Sequence, residues 1–142
     1  MRLQTQILLQ VEHEFDKAGV LGYRSYEVLV ALMQAEGQQL RLSDLADRVG
    51  LSRSGLTRMV DRLEKDGLLR RDRSPLDGRG INAHLNEPGR EAVRRAWPTY
   101  RACVEHWLGH TLDAPDREFL RQICRRLMKI PDRGLESQEV WD

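Results

Sequence analysis

Hydrophobic residues recur at helical spacing along most of this chain, and they alternate with polar residues in one short stretch. A first helix is predicted to end near Gly19, and its apolar positions recur every four residues at Leu3, Ile7, Val11 and Phe15. The segment 26–33 is apolar almost all round, which predicts a buried helix. Residues 114–128 predict a last helix, with an apolar stripe formed by Phe119, Ile123, Leu127 and Ile130.

Two short helices joined by a tight turn are predicted in the middle of the chain. Ser43 is placed to cap the first helix, and Gly50 offers the backbone freedom that a sharp turn needs. Ser52 is placed to cap the second helix, which Gly67 ends. The inner face of this second helix is predicted to consist of Leu56, Val60 and Leu63. Its outer face is predicted to consist of Arg53, Ser54, Thr57, Arg58 and Asp61.

An arginine-rich hairpin is predicted to follow. Its strands are 68–73 and 80–85, and its turn is Ser74-Pro75-Leu76-Asp77-Gly78-Arg79. Because apolar residues alternate with polar ones in the second strand, one face is predicted to be buried, formed by Ile81, Ala83 and Leu85. Asn86 is then placed to cap a long helix that runs towards His110 and bends where Pro98 removes a backbone donor.

The charge of the chain is unevenly distributed. At 142 residues the chain suggests one domain, and its charged fraction of 32% is nearly balanced, with a formal charge of +1. Residues 48–79 contain nine basic and five acidic residues, a balance of +4, whereas the first forty residues carry a balance of −2. Positive charge is therefore concentrated where the helix pair and the hairpin lie, as contact with phosphate groups requires.

The helix pair meets the steric demands of a helix-turn-helix. Such a motif needs a small residue where the helices approach, a permissive residue in the turn and an apolar residue inside the second helix. Ala46, Gly50 and Leu56 meet these needs at spacings of four and six residues. An arginine at a hairpin tip, here Arg79, suits the narrow minor groove of DNA, where the negative potential is enhanced. The pattern therefore predicts a winged helix-turn-helix.

The same residues resemble the winged helix-turn-helix core of the MarR family, the multiple antibiotic resistance regulators. The matching pieces are Leu45-Ala46, Leu51-Ser52-Arg53-Ser54-Gly55-Leu56-Thr57-Arg58, Asp61-Arg62-Leu63-Glu64, Gly67-Leu68 and Asp77-Gly78-Arg79-Gly80. The resemblance covers nearly the whole chain, with Asn86 standing where the family often has threonine. It implies a mainly α fold with a small β-wing, in which amino- and carboxyl-terminal dimerisation helices flank the winged core.

The resemblance also implies the division of the chain. Residues 1–142 form a single domain of this type. Its winged core spans about residues 26–86, its dimerisation helices about residues 1–19 and 87–130, and a frayed tail residues 131–142. We therefore expect a homodimer, since a helix-turn-helix usually binds two half-sites about one helical turn apart.

By this resemblance the chain is expected to bind double-stranded DNA sequence-specifically and to regulate transcription, most often as a repressor. The residues expected to face the major groove are Ser52, Arg53, Ser54, Thr57 and Arg58. Gly55 is expected to let the backbone approach DNA closely, and Arg73 to contact a phosphate. Arg79 is expected to enter the minor groove, and Asp77 to orient it through an ion pair.

Members of the family are commonly released from DNA by a small aromatic acid, a metal ion or an oxidant, and three features of this chain correspond to those signals. Aromatic side chains either line a ligand pocket between the dimerisation helices and the DNA-binding lobe or belong to the core: Tyr23, Tyr26, Trp97, Tyr100 and Trp107. His106 and His110 are either metal ligands or surface histidines. Cys103 and Cys124 are either redox switches or inert buried thiols. We expect a small-molecule effector in the aromatic pocket.

Other classes of function find less support in the sequence. A winged-helix module for protein–protein assembly is an alternative, but it leaves Arg79 without a role. The sequence shows no phosphate-binding loop, no serine–histidine–acid grouping and no paired catalytic carboxylates, so neither an enzyme nor a cofactor is expected. It also has no run of about 18 apolar residues and no secretory leader pattern, so we expect a cytoplasmic protein without a membrane partner.

Overall fold

A computed structural model describes residues 2–73, 80–109 and 112–128 of the chain. It is mainly helical with one small antiparallel sheet, which confirms the predicted fold class. The helices are α1 (Arg2–Ala18), α2 (Tyr23–Met33), α3 (Leu42–Val49), α4 (Arg53–Lys65), α5 (Glu87–Val104) and α6 (Ala114–Met128). The strands are β1 (Gln39–Arg41), β2 (Leu69–Arg73) and β3 (Ile81–Leu85). A 3-10 turn (Glu36–Gln38) precedes β1, and a π-helical turn (Glu105–Gly109) follows α5.

The sheet joins the wing to the helix-turn-helix. Its strand order is β1-β3-β2, and both pairings are antiparallel. Leu69 lies opposite Leu85 and Arg73 opposite Ile81, so the hairpin strands pair along their whole length. On the other side of β3, Arg41 lies opposite Asn82. Because β1 runs directly into α3, the hairpin is attached to the first helix of the helix-turn-helix through β3.

The core is centred on α2, which packs against α3, α5 and the sheet. Val28, Leu29 and Leu32 of α2 are fully buried. Other large buried side chains come from the neighbouring elements, namely Phe15, Leu45, Leu56, Val60, Leu63, Leu69 and Val93. The predicted inner face of α4 is confirmed, since all three of its members are in this set. Burial of that face fixes which side of α4 points to solvent.

Two helix starts differ from their predictions. The predicted helix 26–33 begins three residues earlier, at Tyr23, with Gly22 at the cap position. Ser43 was the wrong cap for α3, since this helix begins at Leu42 and Arg41 occupies the cap position without a side-chain cap bond. The Ser43 hydroxyl instead donates to the carboxylate of Asp44, 3.1 Å away. The cause is that the extended backbone of β1 turns straight into the helix.

The hairpin strands and the start of α5 bring two further corrections. Asn86 lies at the cap position of α5, but its side chain makes no cap bond and donates to the carbonyl of Gly67, 3.2 Å away. Ile81 was predicted to be buried but is 44% exposed, because it lies at the far end of β3 from the core. The other two members of the predicted face, Ala83 and Leu85, are buried.

A close approach between α5 and Leu68, the residue before β2, depends on Gly89. A Cβ atom at this position would lie 2.1 Å from the carbonyl oxygen of Leu68 and 2.8 Å from Cδ1 of Leu85. No side chain fits there, because a backbone oxygen cannot move aside as the end of a flexible side chain can. Gly89 therefore allows α5 to pack directly on the chain segment that leads into the wing.

The last helix has little to pack against within one chain. α6 makes no extensive contact with another element of the described part of the chain. Phe119 is 63% exposed and Leu120 is 40% exposed, and Leu9 on α1 is 60% exposed. Cys124 is exposed, which does not match the interpretation of it as an inert buried thiol. The predicted tail 131–142 lies outside the described residues, as does Ile130.

The described helices are too short or too polar to cross a lipid bilayer. Within residues 2–73, 80–109 and 112–128, no helix combines the length and the apolar character that such a crossing needs.

Candidate functional site

The turn before α4 and the cap in its first turn fix where this helix begins. Gly50 ends α3 in the left-handed conformation, with φ of +66°, as the predicted turn requires. Ser52 has extended backbone angles, and its hydroxyl accepts a hydrogen bond from the amide of Gly55, 3.1 Å away. The predicted cap is thus confirmed. It satisfies one of the free amides at the start of a helix and fixes where α4 begins.

The polar face of α4 is where the sequence predicted it. The exposed residues at its start are Ser52, Arg53, Ser54, Thr57 and Arg58. The Thr57 hydroxyl donates to the carbonyl of Arg53, 2.8 Å away, which leaves its lone pairs towards solvent. A Cβ atom at Gly55 would lie 3.0 Å from the Ser52 hydroxyl, so Gly55 also makes room for the cap. That this face contacts DNA stays a prediction at this point.

The acidic residues of α4 are engaged by an arginine that the sequence analysis did not single out. Arg71 on β2 donates to Glu64 from its backbone amide (2.9 Å) and from Nε (2.8 Å), and to Asp61 from Nη1 (2.6 Å). Hydrogen bonds from Arg71 hold the pKa of the Glu64 carboxyl below its usual range. This clamp joins the wing to α4. The spacing between 64 and 71 carried no signal for it, because the contact depends on how β2 packs on the helix.

Because Arg71 binds these carboxylates, they do not neutralise the arginines at the start of α4, whose positive charges face solvent. Within the described residues, neither Arg53 nor Arg58 forms an ion pair. A surface on which Asp61 and Glu64 neutralise Arg53 and Arg58 does not match these contacts. Two unneutralised guanidinium groups on the exposed side of one helix are suited to phosphate oxygens or guanine edges.

The wing is described up to its base. Arg73 is exposed at the end of β2, opposite Ile81, at the end of the sheet that is far from the core. Asp77 and Arg79 lie outside the described residues, so the ion pair expected between them and the approach of Arg79 to the minor groove remain predictions. The described residues therefore include the polar start of α4 and the base of the wing.

A cavity of about 320 Å³ lies between α2, α3 and α5. Four of the five predicted aromatic side chains line it, namely Tyr23, Tyr26, Trp97 and Tyr100. The rings of Tyr23 and Tyr100 are stacked, with centroids 6.3 Å apart. Trp107 does not take part, and lines a separate cavity of about 220 Å³ beside Cys103 and His106.

Two charged residues also line the aromatic cavity. Glu27 pairs with Arg24, 2.9 Å away, and burial together with this carboxylate raises the pKa of the Tyr23 hydroxyl. Arg48, at the end of α3, makes no ion pair with a described residue. The cavity thus combines aromatic walls on α2 and α5 with a cation on the helix-turn-helix.

The structure gives less support to the other two candidate signals, a metal ion and an oxidant. In the described ranges, no three histidine, cysteine or acidic side chains are grouped closely enough to hold a metal ion. His106 is exposed, and His110 lies outside the described residues. Cys103 is buried, and burial together with the nearby Glu14 raises the pKa of its thiol, which disfavours the reactive thiolate.

Comparison with known proteins agrees with this geometry. A family profile described as the MarR family matches residues 21–81. The transcriptional repressor MprA of Escherichia coli K12 is 31% identical over 133 residues, which cover 94% of this chain and 74% of that protein.

Two solved structures from Streptomyces coelicolor extend the comparison. Sco3205, a MarR family transcriptional regulator solved in complex with DNA, is 28% identical to this chain. The match covers 93% of this chain and 84% of the Sco3205 chain, with a TM-score of 0.78. PcaV, a transcriptional regulator solved in complex with its natural ligand, is 28% identical to this chain. The match covers 91% of this chain and 88% of the PcaV chain, with a TM-score of 0.71.

Proposed function

This chain belongs to the MarR family of DNA-binding transcriptional regulators, and we propose that it is a repressor that binds a pseudo-palindromic operator as a homodimer. The observation that carries the proposal is the exposed start of α4, where Arg53 and Arg58 keep their charge while the acids beside them are engaged by Arg71. Its relative MprA is a transcriptional repressor.

We assign the DNA contacts as follows. The start of α4 lies in the major groove, where arginine can bridge two acceptors on guanine and short hydroxyls suit phosphates or base edges. The residues that face the groove are Ser52, Arg53, Ser54, Thr57 and Arg58, with Gly55 allowing close approach. Arg73 contacts a phosphate at the wing base. Arg79 enters the adjacent minor groove, oriented by Asp77.

The exposed apolar side chains of α6 support the homodimer. Phe119 and Leu120 are exposed within the described chain, as is Leu9 on α1. Contiguous exposed apolar residues mark interaction surfaces. In the proposed dimer, α1, α5 and α6 of two copies cover one another and set the two α4 helices about one turn of DNA apart.

The aromatic cavity is the proposed effector site. Its walls come from α2 and α5, while Arg48 belongs to α3, so a ligand would contact both the dimerisation helices and the DNA-binding lobe. PcaV, which is similar to this chain, binds its natural ligand. We propose that ligand binding favours a dimer whose α4 helices no longer match successive major grooves, which releases the operator.

Selection of bound sequences from random duplex DNA, repeated at several salt concentrations, tests the proposal. We expect a pseudo-palindromic site bound with a steep dependence of affinity on salt. Arg58→Ala should then change the preference at particular bases, whereas Arg79→Ala should weaken binding with a modest loss of sequence choice. Enrichment of no sequence would contradict the proposal. Equal affinity of wild type and Arg79→Ala would remove the wing tip from it.

A further inference from the structure

A second cleft, of about 330 Å³, separates the start of α4 from the base of the wing. Arg53 and Thr57 line it on the α4 side, and Gly80 and Ile81 line it on the wing side. Arg41, the last residue of β1, also lines it. The cleft therefore lies between the two elements that are proposed to enter neighbouring grooves of DNA.

The lining of this cleft is positively charged. Among the described residues that line it, two are arginines and none has a carboxylate. Asp44, which follows the lining residue Ser43 and accepts a hydrogen bond from its hydroxyl, brings a negative charge near the cleft. The half-exposed side chain of Ile81 adds an apolar patch beside the arginines. A cationic cleft with an apolar rim suits a sugar–phosphate strand, whose charge and sugar face alternate along its length.

The Arg41 guanidinium is held at the wing base. A Cβ atom at Gly80 would lie 2.9 Å from Nη2 of Arg41 and 3.0 Å from its Nε, so the guanidinium packs over the glycine. The backbone of Arg41 pairs with β3 opposite Asn82, which sets the direction of its side chain. The head group is thus placed by the fold, and less side-chain entropy is lost when it binds a phosphate.

We propose that this cleft seats a phosphate of the DNA strand that separates the major groove from the adjacent minor groove, and that Arg41 is its main contact. The inference rests on the proposed function, which places α4 in the one groove and the wing in the other. In that placement the strand between the grooves must cross the gap between α4 and the wing base. Ile81 then lies against a deoxyribose, which accounts for an apolar side chain left exposed at this point.

The first test measures operator affinity for Arg41→Ala, with Arg95→Ala as the control. Both variants remove one positive charge, and Arg95 is an exposed arginine on α5, away from the cleft. Arg41→Ala should weaken binding by about tenfold, as loss of a hydrogen bond to a charged group does. The slope of log affinity against log salt should fall by about 0.9. The selected sequence should not change, and Arg95→Ala should behave as wild type.

A double-mutant cycle with modified DNA separates phosphate contact from a merely structural role. Single methylphosphonate linkages, which are uncharged, are placed along the operator strand between the two grooves. At one linkage the methylphosphonate should weaken DNA binding by the wild-type protein about tenfold and DNA binding by Arg41→Ala hardly at all. Arg41→Lys, which keeps the charge, should retain the sensitivity of wild type at that linkage.

The outcomes distinguish this inference from the proposed function. Additive losses at every linkage would overturn it, because they would leave Arg41 only a part in placing the wing. Equal losses for Arg41→Ala and Arg95→Ala would overturn it as well. If Arg41→Ala does not fold, Arg41→Gln gives the same comparison. Failure to select any operator would overturn the proposed function and this inference together, whereas a well-defined operator without coupling overturns the inference alone.

Discussion

Arg62, near the carboxyl end of α4, donates a hydrogen bond from Nη2 to the buried hydroxyl of Ser25 on α2, 2.8 Å away. The residues on either side of Ser25 on this helix include Tyr23 and Tyr26, which line the aromatic cavity. α2 therefore contacts the proposed effector site along one side and the DNA-contacting helix along another. If ligand binding shifts α2, this hydrogen bond would transmit the shift to α4.

Removal of the Ser25 hydroxyl should destabilise the protein. Ser25→Ala removes the buried acceptor of this hydrogen bond, and we expect a loss of about 1 kcal/mol in the free energy of unfolding. Ser54→Ala is the matched control, because Ser54 also lies in the first turn of a helix but is exposed. Urea denaturation measures both. Equal midpoints for the two variants would show that the bond to Arg62 contributes nothing to stability.

Gly89→Ala should destabilise the protein far more than the same methyl addition at Gly22. Its Cβ would meet the backbone carbonyl of Leu68, and relief would require α5 to move away from the wing, at about 3 kcal/mol. Gly22→Ala places its methyl group where no other atom lies within 4 Å and φ is −59°, so it should be tolerated. Thermal denaturation followed by circular dichroism compares the two. A wild-type melting temperature for Gly89→Ala would refute the close approach.

The Glu64–Arg71 clamp should make the free energy of unfolding decrease at acidic pH. The pKa of Glu64 lies below its ordinary value of 4.5 in the folded protein, so the folded state binds this proton less readily than the unfolded state. Its contribution is complete above pH 4.5 and is lost as the pH falls through the lowered pKa. Discounted for partial exposure, it amounts to about 1 kcal/mol.

Glu64→Gln tests this dependence. The variant should lose less stability than wild type between neutral pH and about pH 3 in urea titrations, because its side chain has no proton to take up. Glu91→Gln is the control, since Glu91 is exposed and lies 3.5 Å from Arg94. It should follow the wild-type curve. Identical pH profiles for Glu64→Gln and wild type would contradict the clamp.

Substitutions of Ser52 should separate the folding of α4 from DNA binding. Ser52→Asp keeps a capping oxygen at the start of the helix, so stability should stay near that of wild type. It also places a negative charge on the proposed DNA face, and operator affinity should fall by at least about tenfold. Ser52→Ala should show the other pattern, a loss of about 1 kcal/mol in stability with a smaller effect on affinity. Tight operator binding by Ser52→Asp would move the interface away from the start of α4.

Features that depend on local backbone chemistry were predictable from the sequence. Gly50 and Gly67 have the left-handed conformation expected of helix ends, and Ser52 caps α4. The inner face of α4 also followed from its periodicity, because burial of one helical stripe needs no knowledge of its partners. These local features were enough to predict the helix-turn-helix and the exposed face that bears Arg53 and Arg58, whereas the fold of the whole chain was implied by the family resemblance.

Features that depend on distant segments were not predictable in the same way. Asn86 has the residue type and position of a cap, yet the carbonyl of Gly67 is brought to it by the return of the hairpin, and it bonds there. Arg71 reaches Glu64 and Asp61 only because β2 packs beside α4. Arg41 gains its place at the wing base because β1 pairs with β3, a strand about forty residues later in the chain.

The junction between β1 and α3 limits how chains of this kind can change in length. Arg41 ends the strand and Leu42 begins the helix, so no connecting residue exists that could absorb an insertion or a deletion. One residue more or less would exchange the two faces of β1 and turn α3 by about 100° relative to the sheet. Over evolution, added or lost residues should therefore accumulate elsewhere, and the segment from Gln39 to Val49 should keep a constant length.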